Sequence, residues 1–318
     1  MLNPRTLAWR DHLILTRDIT VAGDRRDFYR LVQRGEFVRL RRGVYMKTSR
    51  WTELNEDARY LARVHAAVAF TPTPLLISHL SAAAVWRLPW FGSCPAFIHA
   101  LGDFSDGGRR SSQIRMHALS TPDRVEDIEG VTVTSLGRTV IDIARSSSFV
   151  QAVVVADAAL RRTQSPVSGL PATTLTVDSL LAELALVPLR NGTAKARRAI
   201  EFADGLADRP GESISRVNIS LARLTAPVLQ VRIRGASGRT YPVDFWWPEF
   251  NLIGEFDGKF KYTDERFLLG RTPQQALYDE KMREDDLRAA DHGFSRWPWE
   301  TAISMPLLRA HLIKAGVR

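Results

Sequence analysis

Two apolar segments in the last quarter of the chain each carry a carboxylate where a buried strand normally has none. Asp244 lies within residues 243–247, and Glu255 lies within residues 252–257. Side chains alternate along a strand, so Glu255 and Asp257 share one face. A buried carboxylate without a partner or a metal ion is costly, and two on neighbouring strands suit a hard divalent cation. The pattern therefore predicts an Mg²⁺ or Mn²⁺ site held by Asp244 and Glu255.

The surrounding sequence predicts a small mixed sheet with helices on its flanks. Apolar periodicity, glycines and prolines divide residues 206–318 into elements in the order α-β-β-β-α-β, followed by a terminal helix. The predicted ranges are a helix at 211–224, strands at 228–233, 239–246 and 252–257, a helix at 273–290, a strand at 294–297 and a helix at 300–314.

These residues resemble the core of the PD-(D/E)xK nuclease superfamily, and more narrowly its branch near the very-short-patch repair endonucleases. The resemblance is carried by Pro242-Val243-Asp244, ten intervening residues, Glu255-x-Asp257-Gly258-Lys259, the preceding helix carboxylate Glu212, the helix 280–288 and the strand that ends at 296–299. It implies a restriction-endonuclease-like fold and metal-dependent cleavage of DNA. The catalytic residues that it implies are Glu212, Asp244, Glu255, Asp257 and Lys259.

The lysine position departs from the superfamily pattern, because Asp257 stands where the lysine is usual. Lys259, Lys281 or no residue fills that role. In the helix 273–290, Leu277 and Leu287 predict a stripe that faces the core, with Lys281 and Glu284 on the same side. Lys281 then either joins a network that reaches the carboxylates or pairs with Asp285 along the helix.

The positive charge of the chain is concentrated at its beginning. Residues 1–50 contain 12 basic and 5 acidic residues, whereas residues 51–205 contain 15 of each and residues 206–318 contain 17 and 15. A basic balance in a small N-terminal segment is typical of nucleic-acid binding. The alternative is an arginine-rich surface that is merely solvated.

The N-terminal segment has the pattern of a winged helix-turn-helix. A helix is predicted over 24–34, with Asp24 as its N-cap and Phe28 on its apolar side, followed by strands at 37–40 and 43–46 around a basic turn. Arginines on the polar side of the helix and on the wing are expected to contact DNA. They are Arg25, Arg26, Arg30, Arg34, Arg39, Arg41 and Arg42.

The middle segment, 51–205, shows helical periodicity and short strands but no ligand spacing. Helices are predicted at 53–70, after Ser78, and over 134–162 with a break at 146–148; strands are predicted at 96–100, 113–118 and 131–134. Residues 163–176 are predicted to be a loop. His79 follows a cap serine, which favours a structural hydrogen-bonding role over a catalytic one.

Three motifs in the first two-thirds of the chain resemble the AbiEi-type antitoxins, winged-helix regulators of type IV toxin–antitoxin systems. They are Arg41-Arg42-Gly43-Val44-Tyr45, Ser78-His79-x-Ser81-Ala82-Ala83 and Thr134-Ser135-x-x-Arg138-Thr139-Val140-x-Asp142. The resemblance implies DNA binding through the first fifty residues. It adds a cognate toxin protein as a candidate partner.

Length and composition complete the expectations. A chain of 318 residues fits two or three domains, here expected at 1–50, 51–205 and 206–318, with α/β architecture that is α+β overall. The beginning lacks a signal-peptide pattern, no apolar run has the length of a membrane helix, and Cys94 is the one cysteine, so we expect a cytoplasmic protein. No small-molecule cofactor is indicated. Three hypotheses follow: a metal-dependent DNA endonuclease, a DNA-binding regulator or antitoxin whose nuclease-like fold is inactive, and a protein–protein interaction module.

Overall fold

The computed structural model describes residues 9–71, 73–102, 113–118, 124–187, 191–258 and 272–318, without the side chains of Ala22 and Pro273. The chain forms two compact units. The first contains Met1–Val155 and Arg162–Phe202, and the second contains Ala156–Arg161 and Ala203–Arg318. Both units combine helices with sheets, which confirms the expected α/β, multi-domain class. The division into three domains stays a prediction. No helix among the described residues has both the length and the apolar character to cross a membrane.

The first unit begins with a small antiparallel sheet of strand order β1-β3-β2. The elements are α1 (Trp9–His12), β1 (Ile14–Leu15), α2 (Ala22–Gln33), β2 (Phe37–Arg41) and β3 (Val44–Lys47). The N-cap prediction was wrong: Val21 holds that position, and Asp24 lies inside the first turn, where its charge still suits the helix dipole. Phe28 packs α2 on the hairpin through the rings of Phe37 and Tyr45.

A five-stranded mixed sheet of order β6-β5-β4-β8-β7 follows in the first unit. The strands of this sheet and the helices around them in the chain are α3 (Thr48–Glu53), α4 (Glu56–Phe70), β4 (Leu76–Ile77), α5 (His79–Val85), β5 (Ile98–Gly102), β6 (Ile114–Ala118), β7 (Val125–Ile128) and β8 (Val131–Thr134). The helix expected at 53–70 begins later, because the Asn55 side chain accepts a hydrogen bond from Ala58 N and caps α4 there. The strands β4 and β7 were not predicted.

Four helices complete this part of the chain: α6 (Leu136–Ser146), α7 (Phe149–Arg161), α8 (Val177–Leu186) and α9 (Thr193–Phe202). The motif that begins at Thr134 stabilises the start of α6. Ser135 caps the helix by accepting from Arg138 N at 3.2 Å, and the buried Arg138 guanidinium pairs with Asp142 at 2.9 Å. These motif residues therefore have a structural role in α6.

The second unit has the predicted α-β-β-β-α-β order. It contains α10 (Pro210–Leu221), β9 (Val228–Arg234), β10 (Thr240–Trp247), β11 (Leu252–Asp257), α11 (Pro273–Ala289), β12 (Gly293–Pro298), α12 (Trp299–Ala302) and α13 (Met305–Lys314). The sheet order is β12-β11-β10-β9, with β11 and β12 parallel and the other neighbours antiparallel.

Two apolar clusters hold this sheet between its helices. Phe245, Trp247 and Trp297 belong to the larger cluster, which includes residues of α10, α12 and α13. Val243 and Ile253 belong to the smaller cluster, which includes Leu287 of α11. Val243 and Phe245 of β10 thus belong to different clusters, and Asp244 lies between them in the chain.

Candidate functional site

Asp244 lies at an irregular point of the sheet. The β9–β10 ladder pairs Val243 with Val231 and Phe245 with Leu229, and the intervening position places Asp244 beside Gln230. Gln230 has a φ of 49°, a left-handed conformation that is strained for this residue type. Asp244 Oδ2 accepts a hydrogen bond from Phe256 N at 3.0 Å. The half-buried carboxylate is therefore fixed between two strands.

Glu212 approaches this point from the first turn of α10. It is 3% exposed, and its Oε2 accepts hydrogen bonds from Asp208 N at 2.9 Å and from Gln230 Nε2 at 3.1 Å. Because Gln230 lies beside Asp244, this contact brings the helix carboxylate to the strand carboxylate. Burial, and then the negative charge of Asp244, raise the pKa of Glu212 to about 8.

Glu255 is buried between two arginines. Its Oε1 accepts from Arg283 Nη2 at 2.5 Å, and its Oε2 accepts from Arg296 Nη2 at 3.2 Å. The parallel register of β11 and β12 pairs Glu255 directly with Arg296, which explains the second contact. Burial raises the pKa of Glu255, Arg283 opposes this rise, and the charge of Asp244 adds to it.

Glu280 of α11 links the two arginines into a network. It accepts from Arg283 Nη2 at 2.8 Å and from Arg296 Nη2 at 2.7 Å. Burial alone would lower the pKa of Arg283, but the hydrogen bonds and charges of Glu280 and Glu255 outweigh burial and raise it, so this guanidinium stays charged. Sequence reasoning missed these partners, although the pairing of Glu255 with Arg296 was accessible from a parallel alignment of β11 with β12.

The remaining predicted site residues take different positions. Asp257 is half-buried at the end of β11, and Lys259 lies outside the described residues. Lys281 is exposed. Leu277, expected in the core-facing stripe, is 56% exposed, and that prediction was wrong. Instead, Glu280 and Arg283 face the sheet together with Leu287. The inward side of α11 thus combines an ionic network, formed with Glu255 and Arg296, with the apolar contact of Leu287.

The chemistry of Asp244 and Glu212 suits a hard divalent cation. Both offer carboxylate oxygens, which Mg²⁺ prefers, and their mutual repulsion in a buried place is relieved by a cation. Among the described residues, the hydrogen bonds of Glu212 fall on Oε2, which leaves Oε1 to face a cation. Glu255 fits less well, because each of its oxygens is bound by a guanidinium group.

Several arginines of the predicted DNA-binding surface are engaged within the protein. Arg25 donates to Thr16 O at 2.9 Å and to Ile19 O at 3.0 Å, so it holds the segment before α2. Arg30 pairs with Asp27 at 2.8 Å on the exposed side of α2. Arg26, Arg34 and Arg42 are exposed.

The tip of the β2–β3 hairpin packs against α4. The Arg41 guanidinium lies 4.8 Å from the ring centroid of Phe70, and its Nε and Nη1 are buried without a hydrogen bond in the described part of the chain. Arg39 and Arg41 line a cleft of about 320 Å³ together with Arg63, Trp51 and other residues. This hairpin is therefore anchored at its tip, where Arg41 is half-buried and Arg42 is exposed.

Comparison with known proteins gives two relatives in Mycobacterium tuberculosis. They are the uncharacterized protein MT2308 of strain CDC 1551 and the uncharacterized protein Rv2248 of strain H37Rv. Each is 31% identical over 134 residues, which is 42% of this chain and 46% of the relative. The match thus covers less than half the length of either relative. No family model matches the chain.

Proposed function

We propose that this chain is a DNA-binding protein whose second unit hydrolyses phosphodiester bonds in DNA with Mg²⁺ or Mn²⁺. The observation that carries the proposal is the convergence of Glu212, Asp244 and Glu255 from one helix and two strands. The charge of Asp244 adds to the effect of burial on the pKa of both glutamates. Clustered groups with such perturbed pKa values are typical of functional sites.

In this proposal Asp244 and Glu212 would hold the cation, which when bound would polarise a phosphate and lower the pKa of a coordinated water. Phe256 N fixes Oδ2 of Asp244, and Gln230 fixes Oε2 of Glu212, so the two carboxylates keep their positions. Glu212 must lose its proton to bind the cation. Arg283 places a permanent positive charge beside them, which suits the negative charge of a phosphodiester in the transition state.

The first fifty residues supply DNA affinity in this proposal. Their net charge of +7, from 12 basic and 5 acidic residues, favours phosphate contacts. All members of the predicted set except Arg41 are exposed, and we assign these contacts to Arg26, Arg34 and Arg42 because Arg25 and Arg30 are engaged within the protein and Arg39 lines the cleft beside Arg41. Because the chain has a single cysteine, Cys94, we place this activity in the reducing cytoplasm.

A second candidate is a DNA-binding regulator with an inactive nuclease fold and a cognate toxin as partner. The contacts of Glu255 favour it, since both carboxylate oxygens are bound by arginines. In that case Glu255 is a structural anion that holds β11, β12 and α11 together. The two candidates differ in whether the carboxylates bind a cation.

Cleavage of supercoiled plasmid by the full-length chain tests the proposal. We expect cleavage with Mg²⁺ or Mn²⁺, no cleavage with EDTA, and a loss of at least 100-fold in Asp244→Asn, because general metal-ion catalysis supplies several kcal/mol. Asp285→Asn is the matched control, since Asp285 is an exposed carboxylate of the same unit. Wild-type protein that binds DNA but leaves it intact with every divalent cation would favour the regulator.

A further inference from the structure

Three histidines of the first unit come together although the sequence separates them widely. His79 begins α5, His99 lies in β5, and His117 lies in β6. One nitrogen of each lies within 4.8 Å of a nitrogen of the other two. His99 Nδ1 and His117 Nε2 are 2.8 Å apart, and the rings of His79 and His117 stack with centroids 3.7 Å apart.

The fold explains this meeting. The parallel register of β5 and β6 pairs Leu101 with His117 and His99 with Arg115, so His99 and His117 lie two positions apart on the same face. The chain leaves β4 at Ser78, whose backbone N–H donates to His99 O at 3.0 Å. Ser81 Oγ accepts from His99 N at 2.7 Å. Two serines on either side of His79 therefore bind the backbone of His99.

The local contacts hold the His79 ring in place. Its Nδ1 is 3.0 Å from Ser78 Oγ, and its backbone has a φ of 52°. A hydrogen bond at one ring nitrogen is the usual outer contact that orients a metal-bound imidazole. A left-handed histidine is a strained conformation, and such strain is concentrated at functional positions.

We propose that His79, His99 and His117 form a binding site for Zn²⁺ with an open coordination position. Three imidazoles with a fourth position for water or an anion are a common zinc environment. Zinc–nitrogen bonds of about 2.0–2.1 Å in tetrahedral geometry separate two ligand nitrogens by about 3.3 Å. The nitrogens of His99 and His117, 2.8 Å apart, thus have to separate by roughly half an ångström, and any separation nearer the 4.8 Å limit has to shorten; changes of side-chain torsion supply both.

Burial around the site suits a set of neutral imidazole ligands, whereas the neighbouring charges are positive. His79 is buried, whereas His99 and His117 are half-buried, so solvent reaches the cluster from one side. Burial lowers the pKa of all three rings, and the neutral imidazole is the form that binds metals. Arg138 and Arg145 add positive charge near His79, and Arg115 adds it near His99 and His117. This charge opposes the cation alone, and we expect it to favour an anionic fourth ligand such as hydroxide.

Zinc titration of the EDTA-treated, dialysed full-length protein tests the site. We expect one Zn²⁺ per chain that survives in Asp244→Asn, because the proposed Mg²⁺ site is in the other unit. His99→Ala and His117→Ala should weaken binding by more than 100-fold. Ser78→Ala should weaken it by about 10–100-fold, the range for outer contacts. His311→Ala, a partly buried histidine of the second unit, is the matched control and should bind as the wild type does.

A spectroscopic measurement on the wild type keeps the proposal testable if the variants unfold. X-ray absorption of the zinc-loaded protein should show three imidazole nitrogens and one further light ligand. Zinc without imidazole ligands, no zinc retained at micromolar concentrations, or equal affinity in folded His99→Ala would each overturn the proposal. The cluster would then be a stack of neutral histidines that supports β5 and β6.

Discussion

At the scale of single residues, the ion pair of Asp157 and Arg216 shows that burial can affect the pKa of a carboxyl group more than a nearby positive charge does. Arg216 Nη1 lies 2.8 Å from Asp157 Oδ2, and Asp157 is 1% exposed. Even so, burial raises the pKa of Asp157 to about 6, and the charge of Arg216 opposes this rise without cancelling it. A pair of this kind adds less to stability than its geometry suggests, although removal of either member would leave the other without its counter-ion.

We expect Arg216→Met to lower the free energy of unfolding by about 3–5 kcal/mol, since Asp157 is then buried without its counter-ion. The double variant Asp157→Leu with Arg216→Met should recover most of this loss or exceed the wild type. Urea unfolding at pH 7 measures both. Additive losses in the double variant would contradict the argument.

The pKa of Asp157 also predicts a pH dependence. The folded protein keeps this proton up to about pH 6, whereas the unfolded chain releases it near the ordinary value of 3.8. Stability from this group is therefore complete below pH 3.8 and is lost as pH rises through 6. We expect the free energy of unfolding to fall less between pH 4 and 6 in Asp157→Asn than in the wild type. Asp285→Asn, an exposed carboxylate of the same unit, should follow the wild-type curve.

At the scale of elements, the hairpin tip depends on a glycine in a tight contact. Gly43 has a φ of 75°, and a Cβ built on it would lie 2.8 Å from the Phe70 ring. Gly35 has a similar φ of 78° but no atom near such a Cβ. An alanine at Gly35 would therefore cost only the free energy of the left-handed backbone, whereas an alanine at Gly43 would also cost the free energy of the clash with Phe70.

We expect Gly35→Ala to destabilise the protein by about 1 kcal/mol, from its left-handed backbone alone. Gly43→Ala should cost clearly more, because Phe70 must also move, and with it the Arg41 guanidinium that lies over this ring. Thermal unfolding of both variants measures the difference. Equal losses would show that the tip does not pack on α4 in solution.

Element order in the second unit was predictable because its strands are short apolar segments between glycines and prolines. The rotation of α11 was not predictable from apolar periodicity, since Glu280 and Arg283 face inward while Leu277 faces solvent. A pattern method assumes that charges point outward, and an ionic network around Glu255 reverses that assumption. Asp244 and Glu255 were predicted as carboxylates within apolar strands, whereas Glu212 came from the family resemblance. Their arginine partners and the histidine cluster depend on contacts between distant segments, which spacing along the chain does not reveal.

At the scale of the whole molecule, the proposed DNA affinity should depend on Arg26, Arg34 and Arg42 more than on the arginines that are engaged within the protein. We expect Arg26→Ala, Arg34→Ala and Arg42→Ala each to reduce the slope of log K against log salt by about one, the value for one lost phosphate contact. Arg25→Ala should leave the slope unchanged in folded protein, because Arg25 donates to Thr16 O and Ile19 O. Fluorescence anisotropy with labelled duplex DNA measures these slopes. A loss of slope in Arg25→Ala alone would move the binding surface toward the start of α2.

The division of α7 between the two units limits how the second unit can be recombined with other domains during evolution. The end of α7, Ala156–Arg161, belongs with Ala203–Arg318, and it brings Asp157 to Arg216. A gene fusion that joined the C-terminal segment to a new neighbour at Ala203 would carry the partly buried Arg216 without its carboxylate. A fusion that keeps this ion pair therefore has to include both Ala156–Arg161 and Ala203–Arg318, two segments that are separated in the sequence. Lineages that reuse this unit in other contexts should either retain a helix equivalent to α7 or replace Arg216 with an apolar residue.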